Sequence, residues 1–325
     1  DVRRPGDMME TLIIGAGAMG GLFGTLLAPF VPVTFFTTNP SHAEALNRDG
    51  LTLATSEGQL RHTTARALTD PRHYGPRADL IILCTKARST ARAADTARQL
   101  VAPDGLVLTL QNGLGNLEII QAAVGEARAA AGITAQAATL LGPGQVRHAG
   151  SGPTVLAAGP GQTEKIAAIA ALFNRAGIPT TVTDDVQALL WSKLIVNVGI
   201  NALTALLRVP NGTLAETPEC ASLMAQAVAE AVTVARALGV RLPDDAPLEK
   251  VRQVCAMTAG NRSSMLQDIL MGRPTEIDVI NGAVVRKGAE TGIPTPVNAL
   301  LTQLVKALEA TASRRIAVTG SRCDS

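Results

Sequence analysis

Gly15-Ala16-Gly17-Ala18-Met19-Gly20 constrains the fold of this chain more than any other segment. It fits G-x-G-x-x-G, a pattern that is weak evidence by itself in a chain rich in alanine and glycine. Here it follows the short apolar run Thr11-Leu12-Ile13-Ile14 directly and opens the helix-compatible stretch Gly20–Leu27. That strand–turn–helix context confirms the pattern as a dinucleotide-binding turn. Gly15 permits the tight turn, Gly17 lets the backbone approach a pyrophosphate, and Gly20 lets helix and strand pack closely. The helix then offers free N–H groups and a positive dipole end to the phosphates. Cofactor contacts are therefore expected along Gly15, Ala16, Gly17, Ala18, Met19 and Gly20.

The same alternation continues. Val33–Thr37, Leu80–Cys84 and Leu106–Leu110 read as buried strands, and Ser41–Asp49 and Ser89–Leu100 as helices between them. This order predicts right-handed crossovers and a Rossmann-type parallel sheet covered on both faces. A β-rich stretch from Gly132 to about Val182 is expected to add smaller strands to that sheet. After Asp184 the periodicity turns helical, with caps at Thr217-Pro218 and Asp244-Asp245 and stops at Gly239 and Gly272. The fold class is thus α/β: a dinucleotide-binding domain over 8–184, an all-helical substrate and catalytic domain over 185–312, and a polar, fraying tail over 313–325. The short polar link at Asp184-Asp185 suits a hinge, with the site formed between the two domains.

Composition removes other classes. The 325 residues carry 29 Lys+Arg against 27 Asp+Glu, too balanced for neutralising nucleic-acid phosphates. One Trp, one Tyr and five Phe leave little for stacking on single strands. No apolar run approaches the ~20 residues that span a bilayer, and no apolar signal segment precedes the first strand. Residues 1–7 read as an upstream extension, with Met8 or Met9 as the natural start. Cys84, Cys220, Cys255 and Cys323 have no metal-ligand spacing and only four histidines accompany them, so no metal site is expected. Reduced thiols place the protein in the cytoplasm. A homodimer is left open.

Which dinucleotide binds is less direct. An acid about 20 residues after the glycines would hold the ribose 2′-OH of NAD. From Thr11 to Ala43 there is no Asp or Glu, and no Lys or Arg for a 2′-phosphate; the second strand runs out in Thr37-Thr38-Asn39-Pro40-Ser41-His42. Absence of the acid permits NADP without requiring it.

Trp191–Ala205 is apolar except for a stripe. Lys193, Asn197 and Asn201 stand at i, i+4 and i+8, on one helix face. Leaving a lysine and two amides unpaired in a core costs several kcal/mol, roughly, so the stripe faces either a polar cleft or partners on neighbouring helices. In a cleft, a partly desolvated lysine has a lowered pKa and can act as a general acid.

In order along the chain stand Gly15–Gly20, Lys86 after a strand, Gln111-Asn112-Gly113-Leu114-Gly115, the Lys193/Asn197/Asn201 helix and Pro210-Asn211-Gly212. Asn261-Arg262-Ser263-Ser264-Met265-Leu266-Gln267-Asp268 and Thr275-Glu276-Ile277-Asp278-Val279-Ile280-Asn281-Gly282 follow. With these motifs the sequence resembles the ketopantoate reductases (2-dehydropantoate 2-reductases) over residues 10–310. The resemblance implies NADPH-dependent reduction of the 2-keto acid 2-dehydropantoate to (R)-pantoate in pantothenate biosynthesis. It implies Lys193 as proton donor and substrate contact, and Glu276 as a catalytic residue near both cofactor and substrate. Asn112, Asn197, Asn201, Asn211 and Ser264 would bind substrate, and Lys86, Asn112 and Ala138 would touch NADP. Thr38 stands where many NADP-using members carry Arg, so NAD is not excluded. An NAD-dependent D-2-hydroxyacid dehydrogenase acting on another 2-keto acid is the alternative.

The residues taken alone admit other roles. Lys86 could be a surface lysine at a strand end, Asn112-Gly113 an ordinary turn, and Ser264 and Glu276 helix-surface residues. Cys84 reads as a core thiol, and Asp268 and Asp278 as structural caps or pairs.

Overall fold

A computed structural model describes residues 8–55, 57–75 and 77–314. The expected extension at 1–7, and the tail beyond 314 with Cys323, lie outside the described residues.

The first half alternates as its apolar runs require. β1 (Thr11–Ile14) leads through the glycine turn to α1 (Ala18–Leu27), then β2 (Val33–Phe36) and α2 (Pro40–Asp49). Asn39 caps α2, accepting from the His42 N–H, and Pro40 occupies its first turn. This Asn-Pro start pre-sets the helix one residue earlier than expected. Three short strands not read from the sequence follow: β3 (Leu51–Ala54), β4 (Leu60–Thr63) and β5 (Arg66–Leu68). Next come β6 (Ala78–Leu83), α3 (Thr90–Leu100), β7 (Val101–Thr109), α4 (Asn116–Val124) and β8 (Ala129–Thr134). After them stand β9 (Ala137–Gly142), β10 (Gln145–Gly150), β11 (Thr154–Ala157), α5 (Thr163–Arg175) and β12 (Thr180–Thr183).

The main sheet has the order β12-β11-β8-β7-β6-β1-β2-β5. All its pairings are parallel except β8 with β11, which are antiparallel, so β11 and β12 run against the rest. The chain passes from β1 outward to β2 and returns on the other side as β6. That reversal opens a crevice at the C-terminal ends of β1 and β6, where ligands sit in such sheets.

Two expectations for residues 132–182 are corrected. β9 and β10 do not join the main sheet; they pair with each other and with β3 in a second sheet of order β4-β3-β10-β9. The stretch also contains α5, whose Ile166, Ile169, Leu172 and Phe173 are buried at helical spacing. α1 lies between the sheets. A Cβ on Gly24 would strike the Phe35 ring of β2, and one on Gly21 would press on Val146 of β10 at 2.7 Å. With both faces covered, Gly20–Leu27 are all buried; Leu22, Phe23 and Leu27 each contribute about 1.5–3 kcal/mol of burial. Phe23 also stacks on Phe173 of α5, ring centroids 5.6 Å apart.

The second half is helical as expected: α6 (Val186–Leu207), α7 (Thr213–Glu216), α8 (Pro218–Ala237), α9 (Pro247–Met257), α10 (Ser264–Leu270), α11 (Asn281–Thr291) and α12 (Pro296–Ala310). Thr217-Pro218 starts α8, and the left-handed glycines 239 and 272 follow the ends of α8 and α10. α9 starts at Pro247 rather than at Asp244-Asp245, because proline pre-sets the first helical turn. A 3₁₀ turn at Ala312–Arg314 closes the described chain.

One compact unit runs to Lys193 and a second from Leu194 onward, so the division falls inside α6. By length and mean hydropathy (22 residues, 1.5) α6 could cross a membrane, a feature hidden from a run-length reading by its polar stripe. It is instead largely buried, 67% of its most apolar window. At Gly199 a Cβ would stand 2.8 Å from Val251 of α9 and 2.9 Å from Val228 of α8, so the three helices pack backbone-close.

Candidate functional site

The glycine turn is shaped by its neighbours. Gly15 has φ +104°, and a Cβ there would press on the Cys84–Thr85 backbone at 2.9 Å. A Cβ on Gly20 would overlap the Gly15 carbonyl, so α1 must start close against the turn. Gly17 differs: its φ is an ordinary −78° and a Cβ would meet nothing within 4 Å among the described residues. Only glycine is sterically required at 15 and 20, whereas at 17 the missing side chain leaves open space beside a helix end. Gly17 caps α1 with no side-chain hydrogen bond, which leaves helix-end N–H groups for an anion. These residues fit a dinucleotide pyrophosphate.

Lys86 stands beyond β6, half-buried, ahead of the 3₁₀ turn Ala87–Ser89. Asn112 follows β7, also half-buried. Leu110, Gln111, Asn112, Gly113, Ile133, Thr134, Leu190 and Lys193 line one cleft of about 230 Å³. All belong to the first unit, because the opening turns of α6 pack there. Lys193 is half-buried, and desolvation lowers its pKa from the ordinary lysine value. Loss of hydration penalises the ammonium and leaves the neutral amine unpenalised, which makes this lysine a readier proton donor. Ala138 lies on β9 in the second sheet, half-buried against the core that includes α1.

In the second unit the polar stripe continues. Asn197 is 8% exposed and Asn201 5%, and the Nδ2 atom of each has no hydrogen-bond partner among the described residues. Asn211, 7% exposed, donates to Thr258 Oγ1 at 2.9 Å while its Oδ1 has no partner among the described residues. Two orphan donors and one orphan acceptor in buried positions cost energy that a hydroxylated ligand would recover. The neighbouring-helix alternative holds for the next polar residue: Thr204 bonds Ser263 Oγ at 2.7 Å, and Ser263 caps α10 through the Leu266 N–H. Ser264, the first residue of α10, is exposed. Glu276 is buried rather than on a helix surface, at the residue before the 3₁₀ turn Ile277–Val279. Asp278 pairs with Lys306 at 2.6 Å and Asp268 with Arg273 at 3.4 Å, the structural role expected of both. Cys84 packs partly buried against the core, and desolvation pushes its thiol up to about 12.

Sequence reasoning missed His42. Its ring is buried, and Nε2 lies 2.7 Å from the Ala16 carbonyl oxygen. A carbonyl only accepts, so Nε2 carries the proton and ties α2 to the glycine turn. The partners are 26 residues apart, and no local pattern signals such a contact. Ile133, Thr134 and Leu190 of the cleft were missed for the same reason.

Comparisons with known proteins show what the chain as a whole is similar to. A family model described as ketopantoate reductase PanE/ApbA matches residues 11–161, and its C-terminal companion matches 185–309. A 2-dehydropantoate 2-reductase of Halobacterium salinarum is 40% identical over 302 residues, covering 92% of this chain and 98% of that protein. The crystal structure of a PanE/ApbA family ketopantoate reductase from Ralstonia eutropha superposes with TM-score 0.86 at 35% identity, over 94% of this chain and 100% of that one. The ternary structure of D-mandelate dehydrogenase with NADH and anilino(oxo)acetate superposes with TM-score 0.87 at 30% identity, over 93% and 99%.

Proposed function

The chain belongs to the ketopantoate reductase family, and from that premise we propose that it reduces 2-dehydropantoate to (R)-pantoate with NADPH, in the cytoplasm, as a step of pantothenate biosynthesis. The observation that carries this reading is the cleft that Lys193 shares with Asn112, in which burial lowers the lysine's pKa.

When bound, the nicotinamide supplies the hydride that C2 of the keto acid accepts. Lys193 donates a hydrogen bond to the C2 carbonyl oxygen and passes its proton there as negative charge builds. The neutral amine left behind suits its desolvated surroundings. Asn112 aligns the carbonyl with the cofactor. The free Nδ2 donors of Asn197 and Asn201 serve the C4 hydroxyl oxygen, Asn211 contributes its free acceptor, and Ser264 holds the carboxylate. Gly15–Gly20, Lys86, Asn112 and Ala138 would hold the cofactor, and Glu276 is assigned a role toward cofactor and substrate.

A second reading has its own support. The end of β2 carries no charge of either sign, and the D-mandelate dehydrogenase relative is solved with NADH. An NADH-dependent D-2-hydroxyacid dehydrogenase is therefore the competitor. Cofactor oxidation followed by absorbance, with NADPH and NADH across ketopantoate and a panel of aromatic and aliphatic 2-keto acids, separates the two. The reductase reading requires the highest kcat/KM for ketopantoate with NADPH. A higher value for an aromatic keto acid with NADH would replace it by the dehydrogenase.

A further inference from the structure

The loop that carries Asn112 is held by a chain of side-chain hydrogen bonds in which every donor points the same way. Thr109 Oγ1 donates to Gln111 Oε1 at 2.9 Å. With its carbonyl end so occupied, the Gln111 amide directs its two N–H groups to the Thr85 carbonyl at 2.8 Å and Thr90 Oγ1 at 2.9 Å. Thr90, having accepted, donates to Asn116 Oδ1 at 2.8 Å. The Asn116 Nδ2 group then donates to the backbone carbonyl of Asn112 at 3.0 Å. Each proton position follows from the one before, because an amide or hydroxyl used as acceptor on one side has its donor free for the next.

The chain ties together four elements of the site's rim: the segment after β6 that holds Thr85 and Lys86, the loop after β7, and the first residues of α3 and α4. Thr90 is fully buried and Asn116 is 3% exposed, so water does not replace a lost link cheaply. The loop needs this tether. Gly113 and Gly115 sit at φ +86° and +96°, and Asn112 precedes both, with a backbone that two glycines leave free to swing.

We propose that Thr90 and Asn116 are positioning residues for the reduction: through the Asn112 carbonyl they fix the loop so that Asn112 meets cofactor and substrate in register. The proposal rests on the reading that Asn112 contacts both. Removing one link should slow the chemical step more than it weakens cofactor binding.

Thr90→Val removes the hydroxyl and keeps the shape. It should lower kcat about 10-fold, the equivalent of one hydrogen bond at about 1.4 kcal/mol, with the NADPH Kd within about 2-fold of wild type; Thr90→Ser should restore kcat. In the cofactor-free protein, Thr90→Val should speed hydrogen exchange of the 112–115 amides. Asn116→Asp gives a second readout, and carries the test if Thr90→Val does not fold. Its carboxylate still accepts from Thr90 but cannot donate to Asn112, whereas its protonated form can. Its kcat should therefore keep climbing as pH falls below the range where Lys193 is already protonated and the wild-type profile is flat. Wild-type kcat and exchange in Thr90→Val, or an Asn116→Asp profile parallel to wild type, overturns the proposal. Asn112→Ala separates the causes. If it is slow while Thr90→Val is normal, only the tether is refuted; if it is itself normal, the Asn112 reading fails and the proposal falls with it.

Discussion

Alanine at Gly17 and alanine at Gly20 should fail in opposite ways, although both break the same motif. At Gly20 the new methyl would overlap the Gly15 carbonyl and lie 3.1 Å from Ile13 Cγ2. Neither backbone nor a packed core residue yields, so α1 must shift, at a cost of about 1–3 kcal/mol or roughly 2–4 °C of Tm per kcal/mol. At Gly17 the backbone conformation is one that alanine adopts, and the methyl meets no atom of the described residues within 4 Å. Stability should hold or rise slightly, by about 0.4–1 kcal/mol, since alanine narrows the unfolded ensemble. The methyl would occupy the space assigned to the pyrophosphate. Losing one charge-assisted backbone hydrogen bond, about 2–3 kcal/mol, corresponds to a roughly 30- to 150-fold higher Kd for NADPH. Thermal melts and NADPH fluorescence titrations on the two variants measure both quantities. Wild-type NADPH affinity in a folded Gly17→Ala protein would refute the assignment of that open space to the phosphates.

Lys193→Ala should cut turnover ~100- to 10,000-fold, the range for a general acid, in a protein that still folds; near-normal turnover would remove Lys193 from the chemistry. The donor must be protonated, so kcat for reduction should fall as pH rises through the Lys193 pKa, which lies below the ordinary 10.5. Between that lowered pKa and 10.5 the unfolded chain binds the extra proton, so Lys193 costs stability that is regained as pH rises. Lys193→Met should accordingly melt at or above the wild-type temperature at neutral pH, and a lower Tm would contradict the desolvation argument. NADPH should bind at least as well as NADH, and Thr38→Arg should shift the ratio further toward NADPH; tenfold tighter NADH binding would favour the dehydrogenase. Cys84, with its thiol pushed up to about 12 by burial, should resist iodoacetamide in the native protein at pH 8, and mass spectrometry detecting prompt labelling there would show the site to be open. Because Asn112 is assigned to both ligands, ketopantoate should bind more tightly with NADP⁺ present, and equal affinities by calorimetry would detach Asn112 from one of them.

What could be read from the residues alone was whatever depends on neighbours a few positions apart. The run Thr11–Ile14, the glycines behind it and the helix beyond form one contiguous signal; β1 stands where it placed it, and α1 starts at Ala18, two residues before the Gly20 read from the pattern. The i, i+4, i+8 stripe on α6 likewise needs only helix geometry to put Lys193, Asn197 and Asn201 on one face. Local signals that compete were harder to rank: Pro247 prevailed over Asp244-Asp245 for the start of α9, and the glycines around Thr163–Arg175 masked the spacing of α5. Tertiary structure decided the rest. That β10 pairs with β3 rather than with the main sheet depends on strand edges brought together from distant parts of the chain, and a strand's pattern names its buried face but not its partner. The same holds for His42 reaching Ala16 and for Gln111 reaching Thr85 and Thr90. It holds above all for the two orphan amides of α6. The sequence shows that they share a face with Lys193, but only the packed helices reveal that Thr204 finds a partner while the Nδ2 donors of Asn197 and Asn201 find none among the described residues, since satisfaction of a buried polar group is a property of everything around it.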